Sequence, residues 1–326
     1  MVTSEKRTVM EKNARIYVAG ADTLVGAALG RQLEGQGFSN LLVGAGKEPD
    51  LTDSAQVDRF FAANAPQYVF LVAGDSGGIL ANQKYPADLM LNNLLVQTHV
   101  LRSAHQHGVD KLLFLASSCS YPRDCPQPMA VDSLLTGPLE PTNEAYSVAK
   151  IAGIKLCQAY RQQFGDKFIS AIPANPFGIG DDFSLEDSHV IPALLRRMHQ
   201  AKVQNAPSVT IWGTGAPRRE FIFADDLADA CIFALQAFDE AEPLNLGISS
   251  SLSIDELATL IKQVVGYTGA LEYDTTRPDG MPYKALDSTR LTQLGWRPKT
   301  SFPEALAQTY QWVLQDQPDL GAVNVR

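Results

Sequence analysis

A chain of 326 residues, 45% of them hydrophobic and 19% charged, can bury a sizeable core as one large or two moderate domains. Its formal charge of −9, with no cluster of Lys and Arg, argues against a nucleic-acid surface. The polar Met1 to Arg15 stretch and the lack of any long apolar run argue against a secretory leader and a membrane span, so a cytoplasmic location is expected. Cys119, Cys125, Cys157 and Cys231 have neither metal-site spacing nor the density of a disulfide scaffold, and are read as free thiols with no metal.

After a flexible tail over residues 1–13, Arg15 to Gly20 reads as a strand and Leu24 to Gln36 as a helix. Leu41 to Val43 and Tyr68 to Ala73 are further strands, with a helix over Ser54 to Asn64 between them. A long helix from Pro86 to His107 leads to a fourth strand, Lys111 to Ala116. A helix from Asn143 to Gln163 precedes a fifth strand, Phe168 to Ala171. Short, almost wholly apolar strands alternating with amphipathic helices predict a doubly wound parallel α/β sheet of the Rossmann type over residues 14–178. Beyond Ile179 short strands (Thr210 to Trp212, Pro243 to Leu246, Leu271 to Tyr273) mix with helices at Val190 to His199, Asp225 to Ala237, Ile254 to Val265 and Phe302 to Leu314. Residues 179–326 are read as a mainly substrate-binding smaller α/β lobe, with parts of 209–250 returning to the main sheet.

Gly20-Ala21-Asp22-Thr23-Leu24-Val25-Gly26 runs from the first strand straight into a helix. Gly20 permits a tight turn, Gly26 lets the helix pack closely, and a pyrophosphate can rest on the helix N-terminus. Thr23 stands at the middle glycine of the usual pattern, and an ordinary strand-to-helix turn is the competing reading. Asp50 and Leu51, placed where such folds cradle adenine, and the small Ala73 and Gly74 after the third strand support a dinucleotide site.

Tyr146 and Lys150 fall four apart on one helix, about 5–6 Å between Cβ atoms. A unit charge at about 4 Å in an effective dielectric of about 20 contributes roughly 4 kcal/mol, enough to lower a phenol's pKa by about 3 units. Lys150 is therefore expected to make Tyr146 acidic, although such a pair on a surface helix is commonly only solvated. Alternation at the end of the fourth strand places Ser117 and Cys119 on one side, facing the same ligand. Taken alone, Cys119 also fits a buried core thiol.

Together these residues resemble the extended short-chain dehydrogenases, and among them the epimerase-reductases of the GDP-L-fucose synthase type. The likeness is carried by Gly77-Gly78-Ile79-Leu80-Ala81-Asn82, Tyr85-Pro86-Ala87-Asp88, Ser117-Ser118-Cys119-Ser120-Tyr121-Pro122, and Leu139 through Cys157. It continues through Ser188-His189-Val190-Ile191-Pro192, Trp212 to Phe221, and Pro278-Asp279-Gly280. The resemblance implies that Ser117, Tyr146 and Lys150 form a reductase triad and that Cys119 and His189 are the base and acid of an epimerisation. It implies substrate contacts at Ser118, Asn175, His189, Arg197, Trp212, Arg219 and Lys284, with Asn175 also near the nicotinamide. A GDP-4-keto-6-deoxy-hexose substrate, a homodimer, and NADP or NAD as cofactor follow from the same likeness.

The chain departs from that pattern where arginines hold the 2′-phosphate of NADP, reading Asp22 and Gly44-Ala45-Gly46, with Lys47 the one nearby cation. NADH is therefore expected to bind at least as well as NADPH. Asp75, Pro176, Phe177 and Phe223 are further departures around the cofactor. Two other readings stay open at this level: an NAD-dependent epimerase or 4-ketoreductase acting on another GDP-sugar, and a dinucleotide-sensing protein without turnover.

Overall fold

The computed structural model describes residues 9–42, 48–184, 188–277, 279 and 281–316. Gly44, Ala45, Gly46 and Lys47, and Pro278 and Gly280 of the Pro-Asp-Gly segment, lie outside the described residues. The first half runs β1 (Ile16–Ala19), α1 (Leu24–Gly35), β2 (Leu41–Leu42), α2 (Ser54–Asn64), β3 (Tyr68–Leu71), α3 (Ile79–Lys84), α4 (Pro86–Gln106), β4 (Lys111–Leu115), α5 (Glu144–Phe164) and β5 (Phe168–Pro173). The second half runs β6 (Asn175–Phe177), α6 (Val190–Val203), β7 (Ser208–Trp212), β8 (Arg218–Arg219), β9 (Phe221–Phe223), α7 (Ala224–Ala237), β10 (Leu244–Leu246), β11 (Leu252–Ser253), α8 (Ile254–Val265), β12 (Ala270–Asp274), β13 (Tyr283–Lys284), α9 (Thr289–Leu294) and α10 (Phe302–Asp316).

Six strands form one parallel sheet in the order β10-β5-β4-β3-β1-β2. Every residue of β1, β3, β4 and β5 is buried, which is why these strands are apolar on both faces rather than alternating. Helices α4 and α5 pack together, and α1 packs with α7. A second core is built from α6, α8 and α10 around Leu195, Leu257, Ile261 and Leu306. The fold is thus the doubly wound α/β architecture anticipated above.

The winding of the main sheet reverses between β1 and β3, because the chain leaves β1 for β2 on one side and places β3 on the other. Ligands of open α/β sheets bind at such a point, outside the strands' carboxyl ends. Local chemistry fixes the approach to it. The Thr23 hydroxyl accepts from the Gly26 amide at 3.0 Å and starts α1, and the Asp53 carboxylate accepts from Ala55 and Gln56 and starts α2.

One local expectation is corrected. The fourth strand stops at Leu115, and Ser118–Ser120 form a 3-10 turn, so strand alternation does not bring Ser117 and Cys119 together. The turn does so instead: the Ser117 hydroxyl accepts from the Cys119 amide at 3.2 Å. A short polar side chain that competes for backbone N–H groups favours such a cap over continued strand. Among the described residues no helix is long and apolar enough to cross a membrane.

Candidate active site

Helix α5 is pressed onto the sheet at Gly153, where any Cβ would overlap the Phe114 ring of β4. The Gln97 amide of α4 donates to the Ala149 carbonyl at 2.7 Å and fixes the same turn from the other side. This close seating carries Lys150 beneath the cleft floor, 5% exposed, with Nζ 5.7 Å from the centre of the Tyr146 ring and 5.5 Å from that of Phe114. Loss of hydration lowers Lys150 to about 8, with the negative charge of Asp75 acting in the opposite direction.

The expected acidification of Tyr146 does not occur in the ligand-free protein. Its pKa is raised, first by loss of hydration and then by Cys119, while a hydrogen bond with Ser117 opposes the rise. Spacing on a helix fixed the pairing but carried no information about burial, and burial dominates here. The result is a phenol that keeps its proton at neutral pH, suited to donating to an oxygen rather than to serving as a base.

Cys119 lies half-buried beside this phenol. Its sulfur accepts from the Asn143 amide nitrogen at 3.2 Å and from the Lys284 ammonium at 3.5 Å. Ser118, next to it, is buried. His189 stands exposed at the head of α6. Partial desolvation by the cleft wall lowers its pKa; Asp182 opposes that effect and Lys284 adds to it. The Lys284 ammonium therefore acts on both the thiol and the imidazole.

Lys284 owes its position to a residue the sequence reading passed over. Glu220 is 1% exposed, and burial raises its pKa despite three backbone donors: Ile248 and Ser249 reach Oε1 at 2.6 and 2.8 Å, and Leu286 reaches Oε2 at 2.7 Å. Its amide donates to the Lys284 carbonyl at 3.2 Å, and its carbonyl accepts from both the backbone and the side chain of Asn175. Asn175 is thereby held at the start of β6 with its amide nitrogen committed to Glu220. The charge of Glu220 immediately before the apolar run Phe221-Ile222-Phe223 was the one available signal, since a carboxylate drawn into a core must be paired or hydrogen-bonded.

Arg219, adjacent in the chain, is half-buried and donates to the carbonyls of Arg218 and Met281 at 2.8 and 2.6 Å. Arg197 on α6 reaches the Thr210 carbonyl at 3.0 Å. Burial lowers the pKa of both guanidinium groups. Trp212 is exposed, with the Arg277 guanidinium 5.1 Å from its ring centre. The structure thus brings Ser117, Cys119, Tyr146, Lys150 and Lys284 together, and carries Arg197 on α6, Trp212 on β7 and Arg219 on β8.

The glycine loop meets the demands of a dinucleotide. Gly20 has φ +94°, and a Cβ there would sit 2.6 Å from the Ala73 backbone. A Cβ on Gly26 would overlap the Gly20 carbonyl, so the loop is stacked tightly under α1. Leu24 and Val25 begin that helix, whose first turn carries no acidic side chain, leaving its N-terminus favourable to an anion. At the next strand end, a Cβ on Gly74 would crowd Lys150 Nζ at 3.1 Å, so backbone lies open beside the ammonium. Asp50 folds back to accept from Thr52, and the Leu51 carbonyl lies 3.1 Å from a ring nitrogen of His99. Glu48, also missed, accepts from the Gly20 amide at 2.7 Å and from the Tyr17 hydroxyl at 3.1 Å, and the charge of Asp22 adds to the burial that raises its pKa. Two carboxylates therefore flank the loop.

Comparison with known proteins follows this geometry. Residues 16–247 match the NAD dependent epimerase/dehydratase family. The chain is 52% identical to GDP-L-fucose synthase 1 of Arabidopsis thaliana, over 97% of this chain and 98% of that one. It is 47% identical to a GDP-L-fucose synthase of Escherichia coli, over 93% and 97% of the two chains. A GDP-L-fucose synthetase of Naegleria fowleri, solved with NADP bound, superposes with a TM-score of 0.90 at 27% identity, over 97% of each chain.

Substituting Glu220→Gln should lower stability by about 1–3 kcal/mol, because it removes the charge and replaces one acceptor oxygen with an NH2 group that cannot satisfy the converging amides. Urea unfolding measures this, and an unchanged midpoint would show that the carboxylate does not hold these segments.

Proposed function

Because the chain belongs to the NAD dependent epimerase/dehydratase family, we propose that it converts a GDP-4-keto-6-deoxy-hexose by 3,5-epimerisation and 4-keto reduction, as a GDP-L-fucose synthase-type enzyme. The observation that carries this reading is the placement of the Cys119 thiol beside a protonated phenol, Tyr146, that is hydrogen-bonded to Ser117. A reductase alone needs the phenol, whereas proton transfer at carbon needs the thiol as well.

The ketone at position 4 acidifies the protons at carbons 3 and 5, and Cys119 as thiolate removes each of them. His189, entering from α6, returns protons on the opposite face. Ser117 holds the substrate carbonyl, and Tyr146 gives its proton to the position-4 oxygen as that atom becomes an alkoxide. The ammonium of Lys150 stabilises the phenolate that results. When bound, the nicotinamide supplies the hydride for this reduction. Residues Gly20 to Gly26, Asp50, Leu51, Ala73 and Gly74 hold the dinucleotide. Arg197 and Arg219 grip the diphosphate, a task suited to forked guanidinium groups, with Trp212, Ser118, Asn175 and Lys284 lining the sugar and nucleotide.

The Asp22 and Glu48 carboxylates beside the glycine loop oppose a 2′-phosphate, so NADH serves at least as well as NADPH. A homodimer forms through α4 and α5, where Leu91 and Val148 are exposed; sedimentation as a monomer at micromolar concentration would contradict it.

The reading is tested by incubating the protein with GDP-4-keto-6-deoxy-D-mannose in deuterated water with NADH or NADPH. Solvent deuterium at carbons 3 and 5 of a reduced product is expected with either cofactor. No exchange and no cofactor oxidation would end the proposal, and a large preference for NADPH would overturn the cofactor assignment alone. The reduction rate should also fall as pH rises through about 8, because Lys150, with its lowered pKa, is charged below that value and neutral above it. A pH profile flat from 7 to 9.5 would contradict this role for Lys150.

A further inference from the structure

We propose that Asn143 is a positioning residue for the carbon base: its amide, aimed by Ser147, holds Cys119 as a thiolate in the substrate-free protein, with Lys284 as the balancing cation. The inference deepens the function proposed above and rests on Cys119 being the group that removes the carbon proton.

Asn143 occupies the N-cap position of α5, and asparagine there ordinarily bonds its side-chain oxygen to an amide of the first turn. No such capping bond is made. The side-chain oxygen lies 3.2 Å from the Ser147 hydroxyl, which is also 3.0 Å from the Asn143 carbonyl. Ser147 is wholly buried, so this contact is fixed rather than shared with water. With the oxygen turned toward Ser147, the amide nitrogen faces the sulfur at 3.2 Å. The helix gives up its cap and the amide is spent on the thiol.

The second neighbour has the same polarity. Lys284 Nζ lies 3.5 Å from the sulfur. An amide NH2 and an ammonium both donate, and neither can accept a thiol proton, so the pair favours the anion. Among the described residues, titratable groups near this point include Tyr146 on α5, which keeps its proton, Cys125 and His189, both within the field of the same ammonium, and Asp182, whose charge acts on His189. In the reaction the thiolate accepts the carbon-bound proton and becomes the thiol, the electron pair staying on the sugar as the enolate. Loss of that proton to solvent returns the anion.

The test measures the rate at which iodoacetamide alkylates Cys119 as a function of pH, read by mass spectrometry on the Cys119 peptide of the full-length protein without substrate. The wild-type profile is the reference against which each variant's midpoint is read. Asn143→Ala should raise it and slow alkylation at pH 7 about tenfold, as expected when a hydrogen bond to a charged group is lost. Ser147→Ala, which keeps the donor but frees its orientation, should give a smaller rise, and Lys284→Met a rise comparable to Asn143→Ala. A merely structural role would change the limiting rate at high pH and leave the midpoint alone. Should Asn143→Ala not fold, Asn143→Asp retains the shape while exchanging the donor for a carboxylate, and must raise the midpoint further. Unchanged midpoints in the folded variants overturn the proposal. The readout needs no sugar: an unshifted midpoint in a protein that exchanges deuterium removes the role of Asn143 only, whereas a shifted midpoint without exchange removes the sugar chemistry and keeps the thiolate site.

Discussion

Burying the Glu220 carboxylate is tolerable only because backbone amides from two separate segments meet its oxygens. An unmatched buried donor or acceptor costs about 1–3 kcal/mol, and more when it is charged. The requirement therefore locks the chain around Ile248, Ser249 and Leu286 onto the strand pair β8 and β13. The backbone of Glu220 extends the same constraint to Asn175 on one side and to Lys284 on the other. Lys284 reaches Cys119 only because β13 is fixed in this register. A buried carboxylate thus fixes the distance between the Lys284 cation and the Cys119 thiol.

Two opposing electrostatic effects share the cleft floor. Desolvation lowers Lys150 and raises Tyr146, so the phenol keeps its proton where spacing alone suggested that the neighbouring ammonium would make it acidic. For ketone reduction this is the useful arrangement, since the phenol must arrive protonated and the ammonium matters once the phenolate forms. Lys284, in contrast, lies at the side of the cleft. Its ammonium lies 3.5 Å from the Cys119 sulfur, and its charge disfavours the imidazolium of His189, so one cation faces both groups.

Much of this was legible in the sequence. Strands buried on both faces leave uninterrupted apolar runs such as Tyr68 to Leu71 and Leu112 to Leu115, and caps such as Thr23 and Asp53 mark helix starts. Ser117, Cys119, Tyr146 and Lys150 could be chosen because their spacing and flanking segments carry chemistry. What escaped were features that depend on distant partners. Glu220 is explained by residues 28 to 66 positions away, Asn143 by a sulfur 24 positions earlier, and β8, β11 and β13 are two-residue strands too short to show any period. The meeting of Ser117 with Cys119 was anticipated, but through strand alternation rather than through the 3-10 turn that produces it.

We propose that one site carries two separable chemistries, proton transfer at carbon by Cys119 and reduction completed by Tyr146. The most direct measurement gives a Cys119→Ser variant first GDP-4-keto-6-deoxy-D-mannose in deuterated water, and then the already epimerised 4-ketone with reduced cofactor. Deuterium incorporation at carbons 3 and 5 should be lost while reduction of the epimerised ketone continues. Exchange at the wild-type rate in that variant would contradict the account at its centre.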